Sequence, residues 1–534
     1  MDFEWVAIAL GDVVWISLAF GLGLLAKLIG LPPLAGFLAT GFVLNYFGIA
    51  SGETLQKLAD LGITLLLFSV GLKLDIKTLA RPQVWSVAAL HSSVITVLFG
   101  ASIFGLASMG APLFSTLDLK LSLMIAFALS FSSTVFVVKM LEEKGEMKSL
   151  HGQIAIGILI MQDLAAVIFL ATSTNKLPSI WAVLLLLIIP LRPLFHRLLE
   201  KTGHGELLVL YGLVLALGGA EIFELAGVKD DLGALAMGVL ISTHRKSKEM
   251  ANVMLGLKDL FLVGFFLSIG MAGQLSWTAL IIGLLLVPFI FIKSTVFFIL
   301  MTRFSLRART SLLGTLNLTN YSEFGLIVAA IGVANGWIEN EWLVAIAIAA
   351  SISFMVSTPL NRLDDNIYNS YRSFWQKFQR KTRLHDDALL DTLDATTAIF
   401  GMGRVGSGAY DRLCELGDAS VVGIDFNAEL VEGHQAMGRN VMLGDPSDAD
   451  FWDNVKQRHS LDLVMLALPN LRANLDALEQ LHNISFDGRV AATAKFPDDE
   501  EPLREAGATD VFNIYTEAGT GFADHIRSGN ALPD

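Results

Sequence analysis

The sequence predicts a polytopic α-helical membrane protein with a parallel α/β domain at its C-terminal end. Three observations carry that expectation. The 534 residues are 53% hydrophobic and only 17% charged, with a mean hydropathy of +0.58, too apolar for a soluble chain. Apolar segments bounded by charge or by Pro and Gly follow one another as far as residue 360. From Thr396 onward, short β-runs and a glycine-rich turn replace them. The expected organisation is a membrane domain over 1–360, a helical cytoplasmic linker over 361–394 and an α/β domain over 395–534.

The segments fall near 5–25, 32–49, 58–72, 84–108, 119–141, 152–173, 179–199, 206–226, 230–244, 257–275, 278–302, 309–334 and 341–360, which makes thirteen spans. Basic residues in the even-numbered connections are Lys57, Lys120, Lys176 and Lys229, whereas the other side holds Arg245, Lys246, Lys248, Arg303, Arg307 and Arg309 among many. This bias sets the N-terminus outside and the tail in the cytoplasm. The opening MDFEW has two acids and no basic run, so it does not read as a cleaved signal peptide.

The spans repeat weakly. GFLATGFVL (36–44) resembles GALAMGVLI (233–241), FSVGL (68–72) resembles LSIGM (267–271), HSSV (91–94) resembles KSTV (293–296), and LSFSSTVFVV (129–138) resembles LTNYSEFGLI (318–327). Each match links span n to span n+7. An odd offset gives the copies opposite orientation, so the sequence predicts an inverted repeat. Its fifth and twelfth spans carry polar runs at mid-depth, Ser130 to Thr134 and Asn317 to Glu323, which predict a pair of crossed, broken helices.

Candidate site residues cluster there. Asp163, in IMQDLAAVIF (160–169), sits near the middle of span 6, where insertion costs about 2.5–3.5 kcal/mol, so it is expected to bind an ion or a proton. Gln162 can offer an amide oxygen to a cation, and Ser132, Ser133 and Thr134 offer hydroxyls. Lys293, also at mid-span, needs a partner, for which Asp163 and Glu323 are the candidates; both charges support the site. Asp12, His91, Glu221, Glu224, Asp230 and Asp231 are given no role.

The tail reads differently. Residues 362–394 balance six basic against six acidic side chains and form a mainly helical connector. A β-run, Thr396 to Phe400, then leads into Gly401-x-Gly403-x-x-Gly406 and a helix, and the next strand, SVVGID (420–425), ends in an acid. That context makes the glycines a dinucleotide fingerprint of a Rossmann domain, with Gly401, Gly403, Arg404, Val405, Gly406 and Asp425 as cofactor-binding residues and Asp445 in a neighbouring loop. Cys414, the one cysteine, lies in the first helix as a packing residue and excludes a disulfide framework or a cysteine-rich zinc site. The formal charge of −13 resides wholly in residues 361–534, with 16 basic and 29 acidic side chains, which argues against nucleic acid as a partner. A hydride-transferring oxidoreductase would need a substrate lobe, and about twenty residues after the last strand are too few for one.

Taken in order, the residues resemble the second family of monovalent cation/proton antiporters and, through the joined Rossmann domain, the Kef-type potassium efflux systems. Gln162-Asp163, the hydroxyl run before VVKMLEEKG, Lys293, YSEFGLIVA, FFLSIGM and GMGRVG carry the resemblance. It implies potassium/proton exchange in a bacterial inner membrane, with potassium as the monovalent cation at Asp163, and an RCK/KTN-like tail holding an adenine nucleotide, AMP or NAD(H). It also implies a homodimer joined partly through the tails, in contact with membrane lipid and with room for an ancillary cytoplasmic regulator. The loop 244–258 is mostly basic, and ATAKFPDD (492–499) lacks the arginines of glutathione-gated members, so the resemblance is looser at the gating elements and leaves Arg404 as the contact that glutathione would have. Since Gln162 does not titrate, one mobile carboxylate predicts electroneutral one-for-one exchange. A ligand-gated potassium channel and a sodium/proton antiporter of the same fold are the alternatives; a channel wants a continuous polar pore, and here the polar groups gather at one depth.

Overall fold

Apolar runs of this length become helices because hydrocarbon offers the backbone no other partner. The computed structural model describes residues 3–527 apart from 29–32, 50–51, 74–79, 112–113, 145, 148, 174–184, 186, 229, 273–275, 381–383, 385–394, 418–419, 447, 449–450 and 453–460. The chain divides into two units: Met1–Val137, Ile154–Phe304 and Gly314–Leu363 form one, and Val138–Gln153, Ser305–Leu313 and Asp364–Asp534 the other.

The apolar region runs through helices α1 (Phe3–Leu28), α2 (Pro33–Tyr46), α3 (Glu53–Lys73), α4 (Pro82–Ser108), α5 (Leu119–Ser130), α6 (Thr134–Lys144), α7 (Leu150–Ser173), α8 (Arg192–Lys201), α9 (Glu206–Leu225), α10 (Asp230–Ile241), α11 (Ser247–Ala272), α12 (Trp277–Leu286), α13 (Phe289–Arg303), α14 (Ala308–Asn317), α15 (Glu323–Ala334) and α16 (Asn340–Arg362). Among the described residues, seven stretches are long and apolar enough to cross a membrane, and there are four shorter apolar helices. That is fewer than thirteen, for reasons the chain makes plain. Residues 179–184 and 186 of segment 179–199 lie outside the described residues, the described part of segment 257–275 is the second half of the longer α11, and segment 309–334 contains two half-helices.

The expected interruptions are present. α5 stops at Ser130 and α6 begins at Thr134, with Phe131 extended at φ −74°, ψ 148°. α14 stops at Asn317 and α15 begins at Glu323, with Ser322 extended and capping the helix. Elsewhere helices approach to backbone contact. A Cβ on Gly41 would meet Leu267 O at 2.5 Å and one on Gly270 would meet Leu38 O at 2.4 Å, which joins α2 to α11. Gly71 and Gly238 join α3 to α10 in the same way, each 2.4 Å from the facing carbonyl.

In the second unit, α17 (Asp364–Ser370) and α18 (Arg372–Trp375) follow α16 and a short 3-10 turn ends at Phe378, beyond which Gln379, Arg380 and Leu384 are not helical; 381–383 and 385–394 lie outside the described residues. Next come β1 (Thr397–Phe400), α19 (Arg404–Glu415), β2 (Val421–Asp425), α20 (Ala428–Ala436), β3 (Val441–Leu443), β4 (Leu463–Leu466), α21 (Leu471–Asn483), β5 (Arg489–Ala494), α22 (Glu500–Glu505), β6 (Asp510–Asn513) and α23 (Ile514–Arg527). The strands form one parallel sheet in the order β3-β2-β1-β4-β5-β6, the doubly wound Rossmann arrangement. Phe400, Phe451 and Trp452 are buried beside it. Cys414 is exposed and is not a packing residue: the sheet-facing residues of α19 are Gly406 and Tyr410.

Candidate functional site

The two helix breaks lie against each other. Ser132 Oγ donates to Leu318 O at 2.8 Å, and Ser133 N donates to Asn320 Oδ1 at 2.6 Å. Gln162 spans the first break: its Oε1 accepts from Ser132 N at 3.0 Å and its Nε2 donates to Ser130 O at 3.2 Å. Its amide replaces the helical partners that unwinding removed, so Gln162 here has a structural duty. Thr134, the first residue of α6, donates its hydroxyl to Asp163 Oδ2 at 3.0 Å. Asp163 and Gln162 are each 1% exposed.

Lys293 finds its partners in the main chain. Its ammonium donates to Phe131 O at 2.5 Å and to Asn320 O at 2.7 Å, and lies 5.3 Å from the centre of the Tyr321 ring. Carbonyls set free by the two breaks thus do what the sequence assigns to a carboxylate. The charges are sorted along the broken helices. A cation meets carbonyls just beyond the C-terminal ends of α5 and α14, while Asp163 reaches the first residue of α6 and Glu323 is the first residue of α15. Each sign stands at the helix end that favours it. A buried carboxylate that accepts from the Thr134 hydroxyl beside a helix N-terminus can exchange a proton for a desolvated cation.

Asn320 and Thr319 fall in the polar run expected to serve freed backbone groups, whereas the sequence assigns no role to His91, Ser353 or Ser357. His91 is buried, its Nε2 3.3 Å from Lys293 O and its ring stacked on Phe297. Asn320 links both breaks, Ser294 meets Thr319 at 2.7 Å, Ser353 accepts from Tyr321 N at 3.0 Å, and Ser357 donates to Thr319 O. The signal available was a buried polar group at mid-span; for serine it is weak, because serine so often bonds back to its own helix.

In the second unit the fingerprint glycines divide their labour. Gly401 has φ +90°, and a Cβ on Gly406 would stand 2.0 Å from Gly401 O, so the first makes the turn and the third lets helix meet strand. Nothing lies within 4 Å of a Cβ built on Gly403, which leaves open space at the N-terminus of α19, where a phosphate binds in such folds. Arg404 and Val405 are exposed in the first turn of that helix. Asp425 ends β2; its Oδ2 accepts from Met402 N at 2.9 Å and its Oδ1 from Asn427 N at 2.8 Å. Gly444 N donates to Asp425 O at 2.9 Å, which sets the loop with Asp445 beside the acid. Asp445 is engaged as well: its Oδ2 accepts from Arg309 Nη1 at 3.0 Å.

This unit also buries a group of charges that the sequence does not pair with one another. Lys144 Nζ donates to both oxygens of Asp364, at 2.6 and 2.7 Å. Although burial opposes its charge, Glu146, Asp364 and Asp365 raise its pKa above the ordinary lysine value. Arg307 forks onto Asp448 at 2.7 and 3.2 Å. Burial pushes the Asp448 carboxyl up, but Arg307 and Arg309 overcome it and hold the group below the usual carboxylate range.

Broken helices crossing beside a buried carboxylate, continued in one chain by a doubly wound sheet, define an integral membrane protein of the ion-exchanger class with a soluble C-terminal domain. Residues 15–362 match the sodium/hydrogen exchanger transmembrane family, to which the chain belongs, and residues 397–514 match the TrkA-N domain. The putative cation/proton antiporter YbaL of Escherichia coli K12 is 26% identical over 526 residues, covering 92% of each chain. The glutathione-regulated potassium-efflux protein KefC of the same organism is 24% identical over 515 residues, covering 90% of this chain and 79% of its own. Among solved structures, the sodium proton antiporter MjNhaP1 of Methanocaldococcus jannaschii aligns over 70% of this chain and 98% of its own, with 13% identity and a TM-score of 0.46. The relatives are named as transporters, not enzymes.

Proposed function

We propose that this chain exchanges potassium for a proton at Asp163, one for one, and that an adenine nucleotide in the C-terminal cleft regulates the exchange. The observation that carries this is Asp163, buried and held by Thr134 at the junction of two broken helices. In the cycle, Asp163 carries either a proton or a desolvated cation, with Thr134 and the Ser132–Ser133 break beside it. Both loads neutralise one carboxylate, so the moving unit has the same charge in each direction. Lys293 takes no part in that accounting, because its ammonium serves the carbonyls of Phe131 and Asn320.

An inverted repeat supplies alternating access in this reading. The glycine contacts support it: exchanging α2 with α10 and α3 with α11 turns the α2–α11 contact into the α10–α3 contact, as a pseudo-two-fold axis requires. The full thirteen spans, an external N-terminus, the bacterial inner membrane as its location and a homodimer complete the proposal; mass measurement in detergent tests the last. The decisive experiment is reconstitution in liposomes with potassium or sodium gradients. Asp163→Asn should abolish exchange while folding is retained, and wild-type flux should ignore an imposed membrane potential. Flux that follows the potential, or survives in Asp163→Asn, overturns the single-carboxylate cycle; a preference for sodium overturns the potassium assignment alone.

A further inference from the structure

The loop after β3 has two claimants. It begins at Gly444, hydrogen-bonded to Asp425 O of the nucleotide cleft, and it carries Asp445 and Asp448, which are held by Arg309 and Arg307. The two arginines are not equivalent. Arg307 grips Asp448 with both terminal nitrogens, and that carboxylate is only 8% exposed; Trp452 Nε1 pins the loop between them by donating to Pro446 O at 2.6 Å. Arg309 divides its fork, giving Nη1 to Asp445 at 3.0 Å and Nη2 to Asp365 at 2.9 Å, and the Asp445 side chain is 21% exposed. One carboxylate is thus locked and the other reachable. Arg309 can give up Asp445 and remain charge-compensated by Asp365, so the release does not strand a buried guanidinium.

Arg309 lies in the first turn of α14, and that helix ends at Asn317, where the 318–322 break begins. Asn320 in that break accepts from Ser133 N through its side chain and from Lys293 through its carbonyl. The guanidinium on the nucleotide-cleft loop therefore belongs to the same ten-residue helix whose other end enters the ion site.

We propose that Arg309 is the residue through which the nucleotide cleft is read: donor groups of a bound adenine nucleotide compete with Arg309 for Asp445, and occupancy of the cleft removes one of the ties on the first turn of α14 while Asp365 keeps its hold on Arg309. This rests on the nucleotide reading above and names its regulation. Linkage makes the competition reciprocal, so weakening the Arg309 contact must tighten nucleotide binding by the factor with which nucleotide weakens that contact.

The test uses the full-length protein in detergent and in liposomes, with ADP and NADH as probes. Arg309→Lys keeps a buried cation but cannot fork onto two carboxylates, so it tolerates folding better than Arg309→Gln; a single size-exclusion peak matching wild type qualifies the sample. Calorimetric titration should show the tighter probe binding Arg309→Lys at least about 5-fold more strongly, within the roughly 5- to 150-fold range of such couplings. The difference in exchange rate with and without that nucleotide should shrink in the variant. Affinity within about 2-fold of wild type, with the nucleotide response of exchange retained, overturns the inference and leaves the regulatory reading standing. Failure of wild type to bind either probe overturns both.

Discussion

Replacing Lys293 by methionine should loosen the crossing of the two broken helices. Methionine keeps the length and the apolar body of the side chain, so no large void opens, but the donor to Phe131 O at 2.5 Å and Asn320 O at 2.7 Å is lost. Lys293 is fully buried, so water cannot readily take its place at those carbonyls. A buried acceptor left without its partner costs about 1–3 kcal/mol, and two of them give about 2–6 kcal/mol. The ammonium's own desolvation penalty disappears with it, which moves the expectation toward the lower half of that range. Thermal unfolding of the purified protein in detergent, with Lys293→Arg alongside, measures the loss; arginine retains a cationic donor and should fall between methionine and wild type. Potassium/proton flux at a temperature where both variants are folded completes the comparison. If Lys293→Met were as heat-stable as wild type while its exchange was altered, the ammonium would belong to the transported ion and not to the carbonyls.

Three further outcomes are expected. Thr134→Val removes the hydroxyl donor to Asp163 Oδ2 and should lower exchange at least about tenfold, the equivalent of about 1.4 kcal/mol, with Tm nearly unchanged; full activity in flux assays would detach Thr134 from the site. Gly406→Ala forces a Cβ to within 2.0 Å of Gly401 O and should unfold the C-terminal domain by limited proteolysis, whereas Gly403→Ala meets nothing within 4 Å and should fold normally while losing nucleotide binding. Asp476 has its pKa pushed up to about 6 from 3.8 by burial, against the pull of Arg472. An acid with a raised folded pKa stabilises least once pH exceeds that value: below about 3.8 both states are protonated and nothing is lost, and the loss is complete above about 6. Asp476→Asn should therefore match wild type near pH 4 and exceed it above pH 6, by at most about 3 kcal/mol, in urea titrations followed by tail fluorescence.

The sequence spoke clearly wherever a residue stood against its surroundings. Asp163 and Lys293 were visible because hydrocarbon makes charge conspicuous, and the breaks at 131–133 and 318–322 were visible because polar runs at mid-depth have few other uses. The fingerprint was legible because its strand, glycines, helix and acid are local in sequence. What escaped was pairing across distance. That Lys293 would bond to carbonyls depends on φ and ψ at residues 162 and 27 positions away, and composition holds no trace of that. Arg307 and Arg309 count as topology signals in the sequence because a basic residue at a span end satisfies that rule whether or not an acid waits for it. Cys414 is exposed where the sequence predicts packing, because small apolar character on a helix does not by itself say which face it occupies. The number of spans is the part of the fold that hydropathy carries least far, because a window averages over a break and cannot tell one helix from two halves.

The backbone contacts at Gly41–Gly270 and Gly71–Gly238 constrain how this chain can evolve. An alanine methyl at any of the four would lie 2.4–2.5 Å from a facing carbonyl oxygen, and the opposing residue is already glycine, with nothing left to remove. An ordinary core clash can be repaired by shrinking the neighbour. These cannot. A genetic selection that starts from Gly41→Ala or Gly71→Ala should therefore recover true revertants at the same codon far more often than second-site suppressors, and any suppressor should map to backbone-altering changes in the facing helix. Those four codons would drift only in their third base.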